Sequence, residues 1–344
     1  MTNRTDIILG STGIRSSRAA FGVLPIQRIP TDEAVRILRN ALDGGITFYD
    51  TARAYSDSEE KLGLALRGTD RQRVAIATKT FAANAEGFWQ QLHTSLTNLK
   101  TDYVDIYQFH NPSPMPKPDD STGLYEAMLE AKRQGKIRHV GITNHRLNVA
   151  REAVESGLYE TLQFPFSYLS GDADVELVRL CERRNMGFIA MKALSGGMLT
   201  HSAAAWAWMS QFDNVLPIWG IQRQRELDEF LRHLKRPPVL EGEILATVDK
   251  DRRELTGNFC RCCGYCMPCP AGIQIVECAR VSQMIRRMPS APFYTDEFRA
   301  KMKQVESCQE CGLCRIKCPY GLDAPALMRQ NAKDYWEIMA GKAT

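Results

Sequence analysis

Eleven cysteines occupy this chain of 344 residues, and only Cys181 precedes residue 260. Nine of the others crowd into two short runs, with Cys278 between them. The second run reads Cys308-x2-Cys311-x2-Cys314-x3-Cys318-Pro319. Three thiolates at that spacing wrap one [4Fe-4S] cubane, and the fourth, before proline, reaches a neighbouring cubane. The first run, Cys260-x2-Cys263-x2-Cys266-x2-Cys269-Pro270, repeats the pattern with its last gap one residue shorter and with Cys262 as an additional thiol. Cluster one is therefore assigned Cys260, Cys263, Cys266 and Cys318, and cluster two Cys308, Cys311, Cys314 and Cys269. Cys262 and Cys278 are left over, Cys262 as a substitute ligand. A zinc ribbon is the competing reading, because zinc takes four ligands per site. Eight cysteines in two runs that each end in Cys-Pro exceed what one ribbon needs. Cys181 is expected to be a small buried hydrophobe.

A second set of residues offers acid–base chemistry. Asp50, Lys79 and His110 each end a short apolar run, and Tyr55 follows Asp50 by five residues. A lysine at the end of an apolar strand is costly to bury unless paired, and Asp50 is the candidate partner. Tyrosine is a poor acid at neutral pH, with a reference pKa of about 10. A nearby ammonium stabilises the phenolate and makes Tyr55 a usable proton donor to a substrate carbonyl. His110 would hydrogen-bond the carbonyl oxygen and orient it.

These residues need strands that bring their ends together. Residues 1–235 alternate β-rich and helical patterns, with strand candidates at Ala19–Leu24, Ile46–Asp50, Val74–Lys79, Tyr103–Phe109, Ile137–Ile142, Thr161–Pro165, Gly187–Met191 and Val215–Gly220. Most are apolar throughout, as strands covered on both faces should be. Helix candidates include Thr31–Asp43, Ser58–Arg67, Glu86–Leu99, Ser121–Gln134 and Asp172–Arg184, with Thr31 and Asp172 as cap-like starts. Eight β-α units in succession predict a closed α/β barrel, the (β/α)8 TIM fold, whose chemistry sits at the C-terminal strand ends. An open doubly wound sheet is the alternative, weakened by the lack of G-x-G-x-x-G after the first strand. Ile7–Leu9 and Ile14–Ser16 read as a hairpin closing the barrel floor. Beyond Pro237-Pro238 only helical segments follow: Leu240–Leu255, Ile275–Arg287, Thr295–Val305 and Ala324–Met339. The division is drawn at 1–238 for the barrel and 239–344 for a helical iron–sulfur domain. A net charge of +4 gives no ground for a nucleic-acid or membrane partner. Met1–Asp6 lacks an apolar signal core, so the expected location is cytoplasmic.

Phe48-Tyr49-Asp50-Thr51-Ala52-Arg53-Ala54-Tyr55 and Ser58-Glu59-Glu60-Lys61-Leu62-Gly63 resemble the signature of the aldo-keto reductase family. Leu9-Gly10-Ser11-Thr12-Gly13, Ala77-Thr78-Lys79, Gln108-Phe109-His110 and Gly141-Ile142-Thr143-Asn144 also fit, in order, over about residues 5–235. The resemblance implies a catalytic tetrad of Asp50, Tyr55, Lys79 and His110, with Asn144 and Gln163 on the nicotinamide carboxamide. It implies further NADP or NAD contacts at Gly22, Thr143, Met191, Lys192, Gly220 and Arg223. Met191 departs from the family, which places an aromatic residue against nicotinamide; a thioether can pack on a ring. Lys192 fits substrate, cofactor or plain solvent. Arg223 or Arg225 suits a 2′-phosphate, which leans toward NADP over NAD. Trp206, Trp208 and Trp219 are expected as packing, with Trp219 near the pocket mouth. The Pro-rich stretch Asn111–Asp120 is expected to frame the pocket. The cysteine-bearing tail resembles the helical ferredoxin-like extension of a subset of the family. Three functions stay open: an NAD(P)-dependent carbonyl reductase or alcohol dehydrogenase acting on a small molecule, an electron-transfer enzyme with a redox partner protein, or a barrel with a purely structural or docking cluster domain.

Overall fold

The computed structural model describes residues 5–255, 259–287 and 291–342. Met1–Arg4, part of the segment read for a signal core, lie outside them. Two compact units are present: one formed by Met1–Ala193 with His201–Val248, the other by Leu194–Thr200 with Asp249–Thr344. The composition change at 238/239 does not coincide with this division. Pro237-Pro238 end one helix, but a new one begins at Gly242 and runs through the cut.

In the first unit, β1 (Asp6–Ile8) and β2 (Arg15–Ser17) form an antiparallel hairpin. The parallel strands β3 (Ala20–Gly22), β4 (Phe48–Asp50), β5 (Ala75–Thr80), β6 (Val104–His110), β7 (Ile137–Thr143), β8 (Thr161–Pro165), β9 (Gly187–Met191) and β10 (Val215–Gly220) close into a barrel. Pairing of Ile218 with Ala20 joins β10 to β3 and excludes the open sheet. The helices around it are α1 (Thr31–Asp43), α2 (Ser58–Ala65), α3 (Ala85–Leu99), α4 (Leu124–Arg133), α5 (Leu147–Ser156), α6 (Asp172–Arg183), α7 (Ser202–Met209) and α8 (Gln224–Lys235). Thr31 and Asp172 start helices without capping them; the caps are Pro30 and Gly171. The Asp174 carboxylate accepts the Gly171 N–H at 3.2 Å, which satisfies one orphan donor of the α6 end.

Strand side chains alternate between the two faces, so one set fills the barrel interior. Ala20, Phe48, Ala75, Ala77, Ile106, Ile189, Leu216 and Ile218 pack there, and Ile7 and Leu9 of the hairpin join them as the floor. Two residues further along the same face, the character becomes polar: Phe48 is followed by Asp50, Ala77 by Lys79, and Ile106 by Gln108 and then His110. Gly141 sits opposite this layer. A Cβ there would lie 2.5 Å from Thr161 Oγ1 and 2.8 Å from Gln108 Cγ, so glycine is what lets both polar side chains turn inward. Trp219 faces the other way. It is fully buried under the helices between Trp206 and Phe230, and its indole N–H donates to Arg18 O. Its expected place near the pocket mouth is therefore corrected: the alternation that turns Ile218 inward turns Trp219 outward.

In the second unit every described element is helical: α9 (Gly242–Leu255, which begins in the first unit), α10 (Ile275–Cys278), α11 (Val281–Arg287), α12 (Asp296–Lys303), α13 (Leu313–Lys317) and α14 (Ala324–Met339). The helix expected over Ile275–Arg287 is broken at Ala279–Arg280, where a turn sends the Arg280 guanidinium to Gly196 O at 3.0 Å. Thr295 caps α12 through the Phe298 N–H, and Asp323 caps α14 through the Ala326 N–H. Phe293, Phe298, Met302 and Tyr335 pack with Ile275 and Cys278 into one core. Among the described residues no helix is long and apolar enough to cross a membrane.

The α2–α3 contact allows a test. A Cβ on Gly63 would lie 2.2 Å from Asn98 O and under 3 Å from Leu99 backbone atoms, none of which can rotate away. Gly63→Ala is expected to destabilise the barrel by about 1–3 kcal/mol through overpacking. Thermal unfolding checks this, and an unchanged midpoint would refute the packing argument.

Candidate active site and cluster sites

The barrel interior holds one ion pair. Lys79 Nζ lies 2.7 Å from Asp50 Oδ1 and 2.6 Å from Thr51 O, with both side chains almost wholly buried. Asp50 also accepts from Gln163 Nε2 at 3.2 Å and Gln108 Nε2 at 3.4 Å. Burial pushes the Asp50 carboxyl up and the Lys79 ammonium down, and their mutual charge and hydrogen bonds pull each back toward the ionised form. The Tyr55 ring stands 5.4 Å from Lys79 Nζ and meets the His110 ring edge-on at 5.9 Å. Burial, with the Lys79 charge, holds His110 down at about 3, so its imidazole is neutral at ordinary pH. The structure thus brings Asp50, Tyr55, Lys79 and His110 together.

Tyr55 is held by its loop. The N–H groups of Thr51 and Arg53 donate to Ala77 O and Lys79 O, and Ser58 N–H donates to Tyr55 O. The rest of the motif has structural work. Ser58 Oγ meets Thr51 Oγ1 at 2.7 Å. The buried Glu59 pairs with Arg53 and accepts from Thr78 Oγ1. Lys61 Nζ donates to Ile29 O and pairs with Asp57. Gln108 is not singled out by the sequence motif as a partner of Asp50. Its position between the inward-facing Ile106 and His110 was the signal that it reaches the site.

The residues implied for a nicotinamide cofactor are distributed along the same rim. Strand register pairs Gly220 with Gly22, Gly22 with Asp50, His110 with Thr143, Thr143 with Gln163, and Pro165 with Met191. Gln163 Oε1 is buried with no partner among the described residues, an open acceptor of the kind a carboxamide N–H would fill. Asn144 is already engaged, donating to Pro112 O and accepting from Arg146 N–H, both at 2.8 Å. The first of these bonds ties the Pro-rich loop to β7. Thr143 Oγ1 lies 3.9 Å from Met191 Sδ. Lys192 adopts a left-handed backbone (φ 57), and its charge adds to burial in keeping His145 neutral. Arg223 is exposed at the start of α8, its backbone N–H held by Glu226. Cys181 is fully buried, and burial pushes its thiol up to about 12.

The cysteines ring two hollows. Cys260, Cys263, Cys266 and Cys318 line one of about 400 Å³, counting its open mouth, with Arg261 and Tyr320 at its side. Cys269, Cys308, Cys311 and Cys314 line another of about 410 Å³. Their remaining walls are largely apolar, and Cys266, Cys314 and Ile275 border both. Among the described residues no three Cys, His, Asp or Glu side chains meet as ligands of a single ion would. Five cysteines line each hollow, two of them shared, and a donor set of that kind fits a polynuclear cluster. Burial and then the neighbouring Cys260 and Cys263 thiols push Cys266 up to about 12. Such mutual repulsion disfavours four free thiolates, and a bound cation relieves it. Cys262 lines neither hollow and has a left-handed backbone (φ 55). Cys278 is buried, with its thiol donating to Lys301 O.

His110 offers a direct check on the site. Its folded pKa lies below the unfolded value, so the stability it confers is complete above pH 6.5 and is lost as pH falls toward 3. The His110 ring nitrogens should therefore show neutral shifts by NMR at pH 5, where an exposed histidine is protonated. Titration of His110 near 6.5 would contradict its burial.

The Aldo/keto reductase family model matches residues 6–236, and the 4Fe-4S dicluster domain model matches residues 259–323. An aldo-keto reductase of Bacillus subtilis, YhdN, is 31% identical over 210 residues, which cover 56% of this chain and 62% of that protein. L-galactose dehydrogenase of Arabidopsis thaliana is 28% identical over 56% of this chain and 66% of its own length. The chain thus spans less than two thirds of these relatives. Among solved structures, an aldo-keto reductase of Klebsiella pneumoniae in complex with NADPH is 25% identical, with a TM-score of 0.61, over 73% of this chain and 95% of that one. One from Bacillus halodurans, 22% identical with a TM-score of 0.62 over 72% of this chain and 95% of that one, shares the fold. The chain belongs to the aldo/keto reductase family and carries a 4Fe-4S dicluster domain behind its barrel.

Proposed function

We propose that the barrel, taken as residues 1–238, is an NAD(P)-dependent oxidoreductase that reduces a small-molecule carbonyl or oxidises the matching alcohol, and that residues 239–344 carry two [4Fe-4S] clusters. The observation that supports it most is the packing of Tyr55 between the buried Lys79–Asp50 pair and a neutral His110. A bound nicotinamide supplies or accepts the hydride. Tyr55 Oη gives its proton to the substrate oxygen in reduction and takes it back in oxidation. Lys79 stabilises the phenolate left behind, and Asp50, steadied by Gln108 and Gln163, compensates Lys79. His110, neutral, donates a hydrogen bond to the substrate oxygen and orients it.

Gln163 Oε1 and Asn144 would hold the carboxamide, Asn144 exchanging one of its present bonds. Met191 would pack against the ring beside Thr143. Gly22 and Gly220, paired across the β3–β10 seam, leave room for the dinucleotide to approach the backbone. Lys192 and Arg223 would meet its phosphates, with Arg223 favouring NADP. In the second unit Cys260, Cys263, Cys266 and Cys318 would hold cluster one, and Cys308, Cys311, Cys314 and Cys269 cluster two.

Tyr55→Phe should lower turnover by ~10²–10⁴-fold, the range of general acid catalysis, while nucleotide affinity changes little. Steady-state kinetics on a carbonyl and alcohol panel, with calorimetric nucleotide titration, measures both. Near-normal turnover would mean that the tetrad is inherited but idle.

Anaerobically purified protein should carry about eight iron and eight sulfide per chain, as two cubanes require. Cys263→Ser should lose one cluster and Cys262→Ser neither. Stoichiometric zinc without iron would overturn the cluster assignment, and cluster loss in Cys262→Ser would overturn the ligand register.

A further inference from the structure

The two cysteine-lined hollows sit in unlike electrostatic surroundings. Beside the first, the Arg261 guanidinium lies 4.7 Å from the centroid of Tyr320, and both residues line the hollow. Arg280 directly follows Ala279, which lines the same hollow, and is 3% exposed. One arm of its guanidinium is fixed, Nη2 donating to Gly196 O at 3.0 Å. Its Nε–H is buried and has no acceptor among the described residues. A buried donor left unsatisfied costs about 1–3 kcal/mol, so such a group ordinarily faces a partner. Cys260 and Cys266 line the hollow together with Ala279, so a cluster held there would be the anionic group beside this donor. No aspartate or glutamate is paired with Arg280 among the described residues.

Among the described residues that line the second hollow there is no cation. Glu310 lines it and is matched by Arg329 at 2.6 Å, which leaves the pair neutral. Arg315, next to Cys314, is committed to Asp323 at 2.7 Å. Cys311 is exposed there, so solvent screens whatever charge is near. Water at Cys311 can also donate to sulfur and would favour reduction of that cluster. A buried guanidinium acts in a lower dielectric and at full charge, so its effect is the larger.

We infer that Arg280 is the outer-shell cation of cluster one, donating its spare Nε–H to sulfur of that cluster and making cluster one the more readily reduced of the two. This rests on the two-cluster reading of the second unit. In the step concerned, a cluster takes one electron from the reductant and no proton, and so becomes one unit more negative. A fixed cation and an N–H donor stabilise that reduced state more than the oxidised one, which raises the reduction potential. Arg280 is a positioning and tuning residue here, not a ligand. Electrons entering the domain would accumulate on cluster one, while cluster two, with its exposed Cys311, remains the easier one to reach from solvent.

The test is an anaerobic potentiometric titration of the full-length holoprotein with dithionite and mediators, followed by EPR. The Cys263→Ser variant identifies which signal belongs to cluster one. In the unsubstituted protein the cluster one signal should appear first. Arg280→Gln should move the cluster one midpoint to lower potential, leave cluster two unmoved, and retain full iron content. Arg280→Lys keeps the charge without the Nε–H geometry and should give a smaller shift in the same direction. Equal midpoints in all three proteins, a shift shared by both clusters, or cluster two reducing first would each overturn the inference. If Arg280→Gln sheds iron, the Arg280→Lys titration decides alone, and an unmoved cluster one midpoint there overturns it. Absence of iron from the unsubstituted protein would instead sink the two-cluster reading.

Discussion

Burying Asp50 against Lys79 is the constraint around which the barrel end is built. Two charges removed from water lose several kcal/mol of hydration each, and their attraction repays this only when the remaining hydrogen-bonding capacity is also met. The surrounding residues do that. Thr51 O takes a second Lys79 hydrogen, and Gln108 and Gln163 donate to the carboxylate. Gly141 gives up a side chain so that Gln108 and Thr161 can share the interior. Such a pair is a poor source of stability, and an apolar pair of similar size would serve the fold as well or better. Its position at the open rim beside Tyr55 makes sense as chemistry.

The same pair sets the state of its neighbours. Lys79 adds to burial in keeping His110 neutral, so the imidazole can donate a hydrogen bond without carrying charge. Burial, and then the Lys192 charge, do the same to His145. At the rim the Lys79 charge is matched by Asp50, and both imidazoles stay neutral. The motif around Ser58–Gly63 contributes indirectly, because Glu59, Lys61 and Gly63 seat α2 so that the loop carrying Tyr55 has a fixed end.

The helical unit solves a different problem with little material. Its helices are short, and its core is Phe293, Phe298, Met302, Tyr335 and a few aliphatic residues. Two hollows pass through that core, which a small domain tolerates when a bound group fills them and contributes folding energy. The hollows share Cys266, Cys314 and Ile275 as a wall. Clusters in them would be neighbours, and their difference in surrounding charge would then matter to how electrons are shared.

The sequence by itself determined the barrel, the helical nature of the tail and the identity of the chemical groups. Apolar runs of five or six residues recurring between amphipathic helices leave few ways to bury both faces of every strand, and cysteine spacing is a local property that survives any fold. The strand-end positions of Asp50 and Lys79 were legible from the apolar runs they close, whereas Gln163 and Met191 followed from the family resemblance. Tertiary structure decided what depends on several strands at once. Gln108 became a partner of Asp50, Asn144 became tied to the Pro-rich loop, and Trp219 turned outward into the helix layer. Ile275–Arg287 broke into two helices because Arg280 is bound to Gly196, a residue 84 positions away. Partnerships of that kind are set by closure of the barrel and by the packing of distant turns, and a linear chain carries no local mark of either.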